Sequence, residues 1–466
     1  MPLINTKFLP QPLLPKIPEQ SGAYLVGGTV RDQLLGRPFA DWDLAVEQDP
    51  AGLARAIAEA ENSRVVVLGK KRQIIHRVVS AGRIFDIAAI QGQTISEDLL
   101  RRDFTINAMA VSLPSGRLID PAGGRGDLDR RMIRMTDKAV FDDDPLRLLR
   151  AFRMAATLGF AIDPETFATI SEKAGQIRQV AGERIRDEWQ KILQTRDSAQ
   201  WISEMDRAGL LGSLFPEIEA LKNCGQNRHH EFDVFDHTMA VYRGLEQMLH
   251  QNRPALTADK ENTGLLTSPS AVELLKHAAL LHDIGKPKTR TTDDQGRIHF
   301  YHHPRAGAQM AGQIGRRLRF SCADDGYVTF LIRHHIRPLF LYTARQRNAL
   351  TSRAMTRFFI KTRPYTPDLL LMATADMTGK KEKTNPEFIE FAKELAQRYF
   401  TGHLPARARP RLLTGHDLIR ELGLSPSPLF ATVLDRVEES RLAGDIESRD
   451  QALELARKIV ETQKDA

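Results

Sequence analysis

The sequence predicts an N-terminal α+β domain followed by domains made only of helices, and three observations support this fold class. Apolar runs of strand type fall in the first third of the chain and alternate with helical patterns: Ala23–Val26, Asp43–Val46, Arg64–Leu68, Ile74–Ser80, Ile84–Ala89 and Ala108–Leu113. After Asp137 such runs nearly stop, and apolar residues recur at helical spacing, as at Leu146, Leu149 and Phe152. With 466 residues the chain is also too long for one core, since a domain usually holds roughly 100–200 residues.

These patterns divide the chain into six expected segments. They are an N-terminal extension (1–20), a head built on one sheet (21–136), a helical region (137–224), a histidine-rich helical region (225–385), a basic Pro/Arg linker (386–411) and a tail of two or three helices (412–466).

Composition excludes several classes of protein. No run of about 18 apolar residues occurs, so we expect no membrane segment. The first residues lack the basic start and continuous apolar core of a signal peptide. Only Cys224 and Cys322 are present and they lie far apart, which predicts neither a disulfide framework nor a thiolate zinc site. We therefore expect a cytoplasmic protein.

The positive charge is unevenly distributed. The net charge is +7, which is modest for this length. Residues 333–363, however, contain eight Lys or Arg and no acidic residue. One-sign stretches of this kind favour a polyanionic partner, although a solvated basic surface is an equally ordinary explanation.

Two aspartates, Asp41 and Asp43, lie two residues apart at the start of the second strand-like run. Side chains alternate along a strand, so both carboxylates point to one side, where Mg²⁺ would offset their repulsion. Asp86, on another predicted strand, offers a third carboxylate. Two metal ions about 3.5–4 Å apart would stabilise the attacking and leaving oxygens of a nucleotide transfer.

The residues before these aspartates fit a triphosphate. Gly27 and Gly28 form a strand-to-helix turn, where the backbone can approach a ligand and the N–H groups of the next helix favour an anion. Arg31 follows within the first turn, beside Asp32, and is placed to clamp phosphate oxygens with two N–H groups. Each piece alone is common, but their ordered combination predicts nucleotidyl transfer.

At this point the sequence resembles a known family. The stretch 24–46 is similar to the first motif of the class II tRNA nucleotidyltransferases, which include CCA-adding enzymes and bacterial poly(A) polymerases. Four further segments resemble later motifs of that family in the same order: 101–110, 142–160, 183–189 and 412–428. The resemblance implies a polymerase-β-like nucleotidyltransferase head, a nucleotide-reading and RNA-binding helical region, and a tRNA-binding tail.

The second motif, "RRDFTINAMA", carries residues that contact the nucleotide in the family. By resemblance these are Arg102 and Asp103, with Asn107 nearby. Arg102 would help to hold the triphosphate and the sugar.

The third motif resembles the family segment that reads the incoming base in place of a template. It implicates Asp144, Arg147 and Arg150, and the three-residue steps to Arg153 predict one helical face for the arginines. A carboxylate accepts from an exocyclic amino group and a guanidinium donates to ring acceptors, so one Asp/Arg pair suits both cytosine and adenine. A surface helix with an intrahelical Asp144–Arg147 salt bridge is the alternative reading of the same residues.

The sequence departs from the family pattern at two places. The third motif starts with Asp143 where the family has Glu. CCA-adding members usually carry a flexible loop before the second motif, whereas here only "QGQTISEDLL" separates Ile90 from Arg101. This shortening resembles the CC-adding enzymes, so addition of CC alone and addition of full CCA are both open.

A second constellation resembles the HD phosphohydrolase superfamily, named for an adjacent His-Asp pair of metal ligands. His282 and Asp283 form that pair, and imidazole with carboxylate ligands suits a transition metal. The residues that match the superfamily's ligand positions are His237, His282, Asp283 and Asp376, with His303 and His335 as the additional histidines of two-metal members. In related enzymes this domain resembles a 2′,3′-cyclic phosphodiesterase or phosphatase, although the same histidines would also fit helix packing.

The sequence thus predicts a cytoplasmic enzyme that adds CMP to the 3′ end of tRNA, with AMP addition left open, and a second activity in the HD domain. Mg²⁺ in the head and a divalent transition metal in the HD domain are the expected cofactors. Expected partners are tRNA, CTP and, for full CCA addition, ATP; no membrane and no DNA are expected. Two rivals are a poly(A) polymerase, against which the acidic residues throughout 412–466 argue, and an HD phosphohydrolase whose head only binds RNA.

Overall fold

The computed structural model describes residues 22–69, 74–113, 115–225, 233–251, 269–379 and 385–464. The N-terminal extension predicted for residues 1–20 lies outside these ranges. The chain folds into two compact units, one of residues 1–192 and 200–214, the other of residues 193–199 and 215–466.

The first unit contains a seven-stranded mixed sheet in the order β3-β4-β5-β2-β1-β6-β7. Its strands are β1 (Ala23–Val26), β2 (Asp41–Val46), β3 (Val65–Leu68), β4 (Ile75–Ser80), β5 (Arg83–Ala89), β6 (Ala110–Ser112) and β7 (Leu118–Ile119). Only β2 and β5 run parallel, and the other neighbours are antiparallel. A two-stranded ribbon joins β8 (Met132–Ile133) to β9 (Ala161–Ile162).

The helices and ordered turns of the first unit follow this sheet. They are α1 (Gly28–Leu34), α2 (Pro50–Ala60), α3 (Ile95–Leu100), a 3₁₀ turn (Thr105–Asn107), α4 (Gly124–Asp129), α5 (Val140–Asp143), α6 (Leu146–Leu158), α7 (Pro164–Lys173), a second 3₁₀ turn (Ala174–Gln179), α8 (Gly182–Gln194), most of α9 (Ser198–Arg207) and α10 (Leu210–Leu214).

Strand alternation gives the sheet one buried and one open face. On β2, Trp42 and Leu44 are buried while Asp41 and Asp43 alternate with them. Phe85 and Ile87 continue the buried side on β5. The helix α2 contacts β3, β4 and β5 and buries its own apolar residues, so it covers this side and leaves the aspartates uncovered by it.

Helix α6 carries the third motif and is fixed by its apolar face. Leu148, Leu149 and Phe152 are fully buried, whereas the arginines between them are only partly buried. The helix ends at Gly159, whose φ of 70° is a left-handed conformation that suits glycine at a helix C-terminus. The arginines are therefore held on a packed helix.

The second unit is almost entirely helical. Its elements are α11 (Pro216–Glu219), α12 (Val234–Gln251), α13 (Pro269–Leu281), α14 (Lys286–Thr289), the hairpin β10 (Arg290–Thr292) and β11 (Ile298–Phe300), α15 (His303–Arg317), α16 (Cys322–His334), α17 (Arg337–Gln346), α18 (Ser352–Thr362), α19 (Thr366–Thr378), α20 (Pro386–Arg398), a π-helical turn (Tyr399–His403), α21 (Leu404–Ala408), α22 (Gly415–Leu422), α23 (Pro428–Ala443) and α24 (Arg449–Lys464). The last three helices share one apolar core.

The predicted fold class, a mixed-sheet head followed by helical domains, is confirmed. The structure adds the short pairs β8–β9 and β10–β11, which strand patterns did not reveal because two or three residues are too few to alternate. The six segment boundaries stay predictions. Within the described residues, no helix has the length and apolar character that a membrane crossing needs.

Candidate nucleotide-transfer site and metal centre

The sheet of the head brings three carboxylates to one face. Asp41 and Asp43 lie on β2, and Asp43 is the direct neighbour of Asp86 on the parallel strand β5. Thr29 of α1 fixes the start of β2, because its Oγ1 accepts from the Asp43 N–H at 3.0 Å and donates to the Asp41 carbonyl at 3.1 Å. The shared side predicted for Asp41 and Asp43 is present in the fold.

The electrostatics around Asp43 favour a cation. Burial raises the pKa of the Asp43 carboxyl, the charge of Arg102 opposes this, and the neighbouring Asp86 and Asp41 carboxylates raise the pKa further. A divalent ion between these groups would relieve the repulsion, and carboxylate oxygens are ligands that Mg²⁺ prefers. The carboxylate pair therefore fits the predicted magnesium site.

Asp86 has a partner that the sequence did not reveal. Arg77 on β4 donates to both Asp86 oxygens, from Nε at 2.7 Å and from Nη2 at 2.6 Å. Register places the two residues directly opposite each other on neighbouring antiparallel strands. Each carboxylate oxygen keeps a second lone pair, so the role of Asp86 as a third metal ligand stays a prediction.

The turn before α1 approaches the second motif closely. Gly27 has a φ of 66°, and a Cβ built on it would lie 2.8 Å from Arg102 Nη1, so this position requires glycine. A Cβ on Gly28 would meet only ordinary contacts, with Arg31 Nη2 at 3.5 Å. Of the two predicted glycines, Gly27 is the one that the backbone requires.

Arg31 is already held by protein groups. Its Nε and Nη2 donate to the two oxygens of Asp32 at 2.9 and 2.7 Å, and its Nη1 donates to Asn107 Oδ1 at 2.6 Å. Nη1 also donates to Met154 Sδ at 3.8 Å. A guanidinium has five N–H donors, so one remains for a phosphate. The predicted phosphate clamp is therefore pre-oriented by Asp32 and Asn107, and its contact with phosphate stays a prediction.

Asp103 joins the second motif to the third. It is buried, and its Oδ1 accepts from the Phe104 N–H at 2.8 Å and from Asn107 Nδ2 at 2.9 Å. Its Oδ2 accepts from Arg150 Nη1 at 3.2 Å. Burial acts to raise the pKa of Asp103, but Arg150 and Asn107 outweigh it and hold the pKa below its usual value. Asp103 thus serves as an ionised anchor, and its contact with a nucleotide stays a prediction.

The predicted base-reading residues are arranged differently from the intrahelical pair that their spacing allowed. Asp144 accepts from Arg184 of α8 through both oxygens, at 3.2 and 2.8 Å. Arg147 Nη1 donates to the Val140 carbonyl at 3.2 Å, and its buried Nε has no hydrogen-bond partner among the residues that the structure describes. Arg147 therefore keeps an unsatisfied donor for a ligand, whereas Asp144 is positioned by another helix.

Two residues of α8 to which the sequence motifs assign no role, Arg184 and Glu188, bind the predicted base-reading residues. Arg184 holds Asp144, and buried Glu188 accepts from Arg150 Nε at 3.3 Å and from Arg153 Nε at 2.9 Å. The signal was available in "ERIRDEW", because Arg184 and Glu188 are four residues apart and hence on one helical face. Their partners were not predictable, since they lie more than thirty residues away.

The HD ligands converge in the second unit as two compact groups. In each group the potential ligand atoms lie within 4.8 Å of one another, and the groups are His237, His282 and Asp376, and Asp283, His303 and His335. Asp283 connects them, with its Oδ2 3.2 Å from His282 Nε2 and its Oδ1 3.5 Å from His303 Nε2. All six predicted ligands are therefore at one place.

The imidazole orientations fit a metal. Each of the four histidines directs Nδ1 to a backbone carbonyl, with N···O distances of 2.7–3.3 Å: Gly379 for His237, Ala279 for His282, Phe300 for His303 and Ile332 for His335. This contact leaves Nε2 as the inward-facing ligand atom. Nε2 of His282 is buried and faces Asp283 Oδ2 at 3.2 Å, which places two potential ligand atoms side by side. Burial lowers the pKa of His335 to about 3, so this imidazole is neutral, as ligation requires.

Comparison with known proteins agrees with this geometry. The family model "Poly A polymerase head domain" matches residues 23–134, "Probable RNA and SrmB- binding site of polymerase A" matches 159–222, and "HD domain" matches 234–378. An A-adding tRNA nucleotidyltransferase of Deinococcus radiodurans is 35% identical, over 97% of this chain and 99% of that protein. The chain belongs to the tRNA nucleotidyltransferase family. The resemblance predicted from the motifs is thus confirmed.

Other members of the family differ in what their names say they add. A CC-adding tRNA nucleotidyltransferase of Synechocystis is 30% identical, over 94% of this chain and 93% of that protein. Among solved structures, the Thermotoga maritima CCA-adding enzyme complexed with tRNA aligns over 99% of this chain and 97% of that chain, with a TM-score of 0.65 and 21% identity. This structural likeness supports the same fold for the nucleotidyltransferase, and the HD domain supports metal binding.

Proposed function

We propose that this nucleotidyltransferase adds nucleotides from CTP or ATP to the 3′ end of tRNA, and that it adds only part of the CCA sequence. The observation that carries the reaction is the Asp41–Asp43 pair of β2, adjacent to the Gly27 turn and facing Asp86. The family membership and the full-length similarity to tRNA nucleotidyltransferases support tRNA as the acceptor.

Different residues of the head bind the metal, the triphosphate and the base. Asp41 and Asp43 would hold Mg²⁺, which when bound stabilises the negative charge on the attacking and leaving oxygens. Arg31 and Arg102, next to the Gly27 turn, bind the triphosphate. Arg147, with its free buried donor, and Asp144, fixed by its partner on α8, read the base.

We infer the side from which the acceptor approaches from the order of the strands. The triphosphate-binding residues Gly27 and Arg102 lie on the β1 side of the two aspartates, whereas Asp86 and Arg77 lie on the β5–β4 side. In a phosphoryl transfer the attacking and leaving oxygens are roughly in line. The tRNA 3′-hydroxyl therefore approaches from the side of β5 and β4.

Partial addition is supported by the short connection between β5 and α3. Only residues 90–94 separate the two elements, where CCA-adding members carry a longer flexible loop. Relatives that align over nearly the whole chain with 30% identity or more include an A-adding and a CC-adding enzyme. A loop this short leaves no segment to reshape the pocket between cytosine and adenine, which favours one kind of base.

The test uses two tRNA acceptors, one ending at the discriminator base and one ending in CC, each with CTP, ATP or both. Growth of the first by two nucleotides with CTP, unchanged by ATP, identifies CC addition. Growth of the second by one nucleotide with ATP alone identifies A addition. Growth by three nucleotides when both are present overturns partial addition, and a long ladder from ATP alone identifies a poly(A) polymerase. The double variant Asp41→Asn, Asp43→Asn should show no growth.

We propose a second, metal-dependent phosphohydrolase activity for the HD domain, because four histidines with Nε2 inward and two aspartates face one another there. When bound, the metal supplies a Lewis acid that polarises a phosphate and activates water. The test is hydrolysis of bis-p-nitrophenyl phosphate and of a 2′,3′-cyclic nucleotide with Mn²⁺, Co²⁺ or Ni²⁺. His303→Ala should abolish hydrolysis and leave nucleotide incorporation intact, and equal hydrolysis by this variant would refute the assignment. Hydrolysis without any incorporation by the native protein would support the rival in which the head only binds RNA.

A further inference from the structure

A large cleft opens beside the second HD ligand group. It has a volume of about 1470 Å³ and reaches Asp283, His303, His335 and Asp376. Ordinary sites for one small ligand measure roughly 300–1,000 Å³. The cleft therefore exceeds what a single phosphate ester or mononucleotide needs, and the ligand expected from its size is longer.

Most charged side chains of the cleft wall are cations, although Asp325 also lines it. Arg305 of α15, Arg333 of α16 and Lys361 of α18 line it and are exposed, and none of them forms an ion pair with a carboxylate of the described residues. Arg337 adds a fourth cation, whose Nε donates to His334 Nδ1 at 2.8 Å rather than to an acid. Exposed cations that form no ion pair favour an anionic ligand with several charges.

Two exposed aromatic rings line the same cleft. Among the exposed large hydrophobic side chains of the described residues, only Tyr301 and Phe340 are aromatic, with 64% and 63% of their surface exposed. One face of the Tyr301 ring stacks on His299, at 5.1 Å between centroids and 10° between planes, which fixes its orientation. Exposed rings in a basic groove are the arrangement on which bases of single-stranded nucleic acid stack.

We propose that this cleft binds a single-stranded RNA end of two or more nucleotides, with bases stacked on Tyr301 and Phe340 and phosphates on Arg305, Arg333 and Lys361. The terminal phosphate then lies toward the HD ligands. This inference deepens the proposed phosphohydrolase by naming its substrate class, although the binding itself needs no metal. The aromatic rings set the preference for a nucleotide over a simple phosphate ester.

The first experiment locates the RNA on the full-length protein in EDTA. A hexaribonucleotide with 5-iodouridine at its last two positions and a 3′-phosphate is cross-linked by light, and the attached peptides are identified by mass spectrometry. We expect adducts at Tyr301 or Phe340. Adducts confined to the first unit and to the tail helices would overturn the proposal. Competition with unlabelled ligands distinguishes a mononucleotide from a longer RNA end. A 3′-mononucleotide that competes as well as the hexamer would overturn binding of a longer end.

The second experiment measures the contribution of the rings. Base stacking is worth about 1–3 kcal/mol per base, so Tyr301→Ala with Phe340→Ala should raise the KM for cleavage of an RNA cyclic-phosphate end by at least tenfold. Hydrolysis of bis-p-nitrophenyl phosphate should not change, and Tyr301→Phe should retain the native KM. Val67→Ala, which removes an exposed apolar side chain of the edge strand β3, is the matched control. An unchanged KM for the RNA end in the double variant would overturn the role of the rings.

The two proposals fail in different ways. Cross-links at Tyr301 or Phe340 without hydrolysis of any phosphoester would support the cleft and refute the phosphohydrolase. Hydrolysis of bis-p-nitrophenyl phosphate without cross-links in the cleft would support the phosphohydrolase and refute RNA binding there.

Discussion

Replacing Glu188 by glutamine tests how the nucleotide-reading helix is positioned. Glu188 has only 8% of its side chain exposed and accepts hydrogen bonds from both Arg150 and Arg153 of α6. Glutamine keeps the shape but loses the charge, and it offers one acceptor oxygen where the carboxylate offers two. One arginine will then face an amide N–H group and lose its partner.

The expected magnitude follows from these two contacts. Glutamine keeps one of the two contacts and loses the other, and a hydrogen bond that involves a charged group contributes about 1.5–3 kcal/mol. The lost contact therefore lowers the free energy of unfolding of the first unit by about 2 kcal/mol. For a unit of this size, about 2–4 °C are lost per kcal/mol, so its midpoint should fall by about 4–8 °C.

The activity should change in a particular way. Arg150 keeps its bond to Asp103, so the helix stays in place, but the guanidinium is no longer held from two sides. We expect incorporation of the correct nucleotide to continue and misincorporation of UMP and GMP to rise several-fold. Amide hydrogen exchange should increase in α6 and α8 and remain native in the HD domain.

Glu183→Gln is the matched control, because Glu183 is on the same helix, is exposed and has no ion pair within the described residues. Incorporation is measured with each of the four nucleoside triphosphates on tRNA. The reasoning is wrong if Glu188→Gln matches Glu183→Gln in unfolding midpoint, exchange in α6 and misincorporation.

Three further outcomes are expected. Asp43→Asn should reduce nucleotide incorporation by at least a hundredfold and leave hydrolysis by the HD domain at its native rate. A reduction of about tenfold or less would contradict the metal-ligand role. Removal of metal with EDTA should lower the unfolding midpoint of the HD domain, and a transition metal should restore it, whereas recovery with Mg²⁺ alone would contradict the predicted metal class. Burial raises the pKa of Asp368 to about 6, so its stabilising contribution is complete below its unfolded pKa and lost as the pH rises through about 6. The stability of the native protein relative to Asp368→Asn should therefore fall by about 2 kcal/mol between about pH 4.5 and 7.5, and parallel pH profiles of the two proteins by thermal unfolding would refute this.

The sequence indicated which candidate ligand residues lie together better than it indicated the residues that support them. Asp41 and Asp43 depend on strand alternation, and His282 and Asp283 are adjacent in the chain, so local pattern is enough to place them. The bonds from Arg77 to Asp86 and from Arg184 to Asp144 depend instead on register between strands and on packing between helices. The periodicity of one strand or helix does not identify a partner on another element. Charged residues on an amphipathic face indicate only that partners of opposite charge are needed.

The head and the HD cleft use positive charge in opposite ways. In the head the arginines are tied to carboxylates, as in Arg31 with Asp32, Arg102 with Asp98 and Arg150 with Asp103. Such pairs fix the position of each guanidinium and reduce its net attraction for a polyanion, which suits selection of a base by geometry. The cleft cations lack such partners, so their binding should follow counterion release, with a slope of about −0.7 per phosphate for a single strand. For three phosphates, raising salt from about 50 to about 200 mM should weaken hexanucleotide cross-linking at Tyr301 roughly 20-fold, while the ratio of correct to incorrect nucleotide incorporation in the head stays constant. Equal salt dependence of the two quantities would show that charge pairing does not separate the sites.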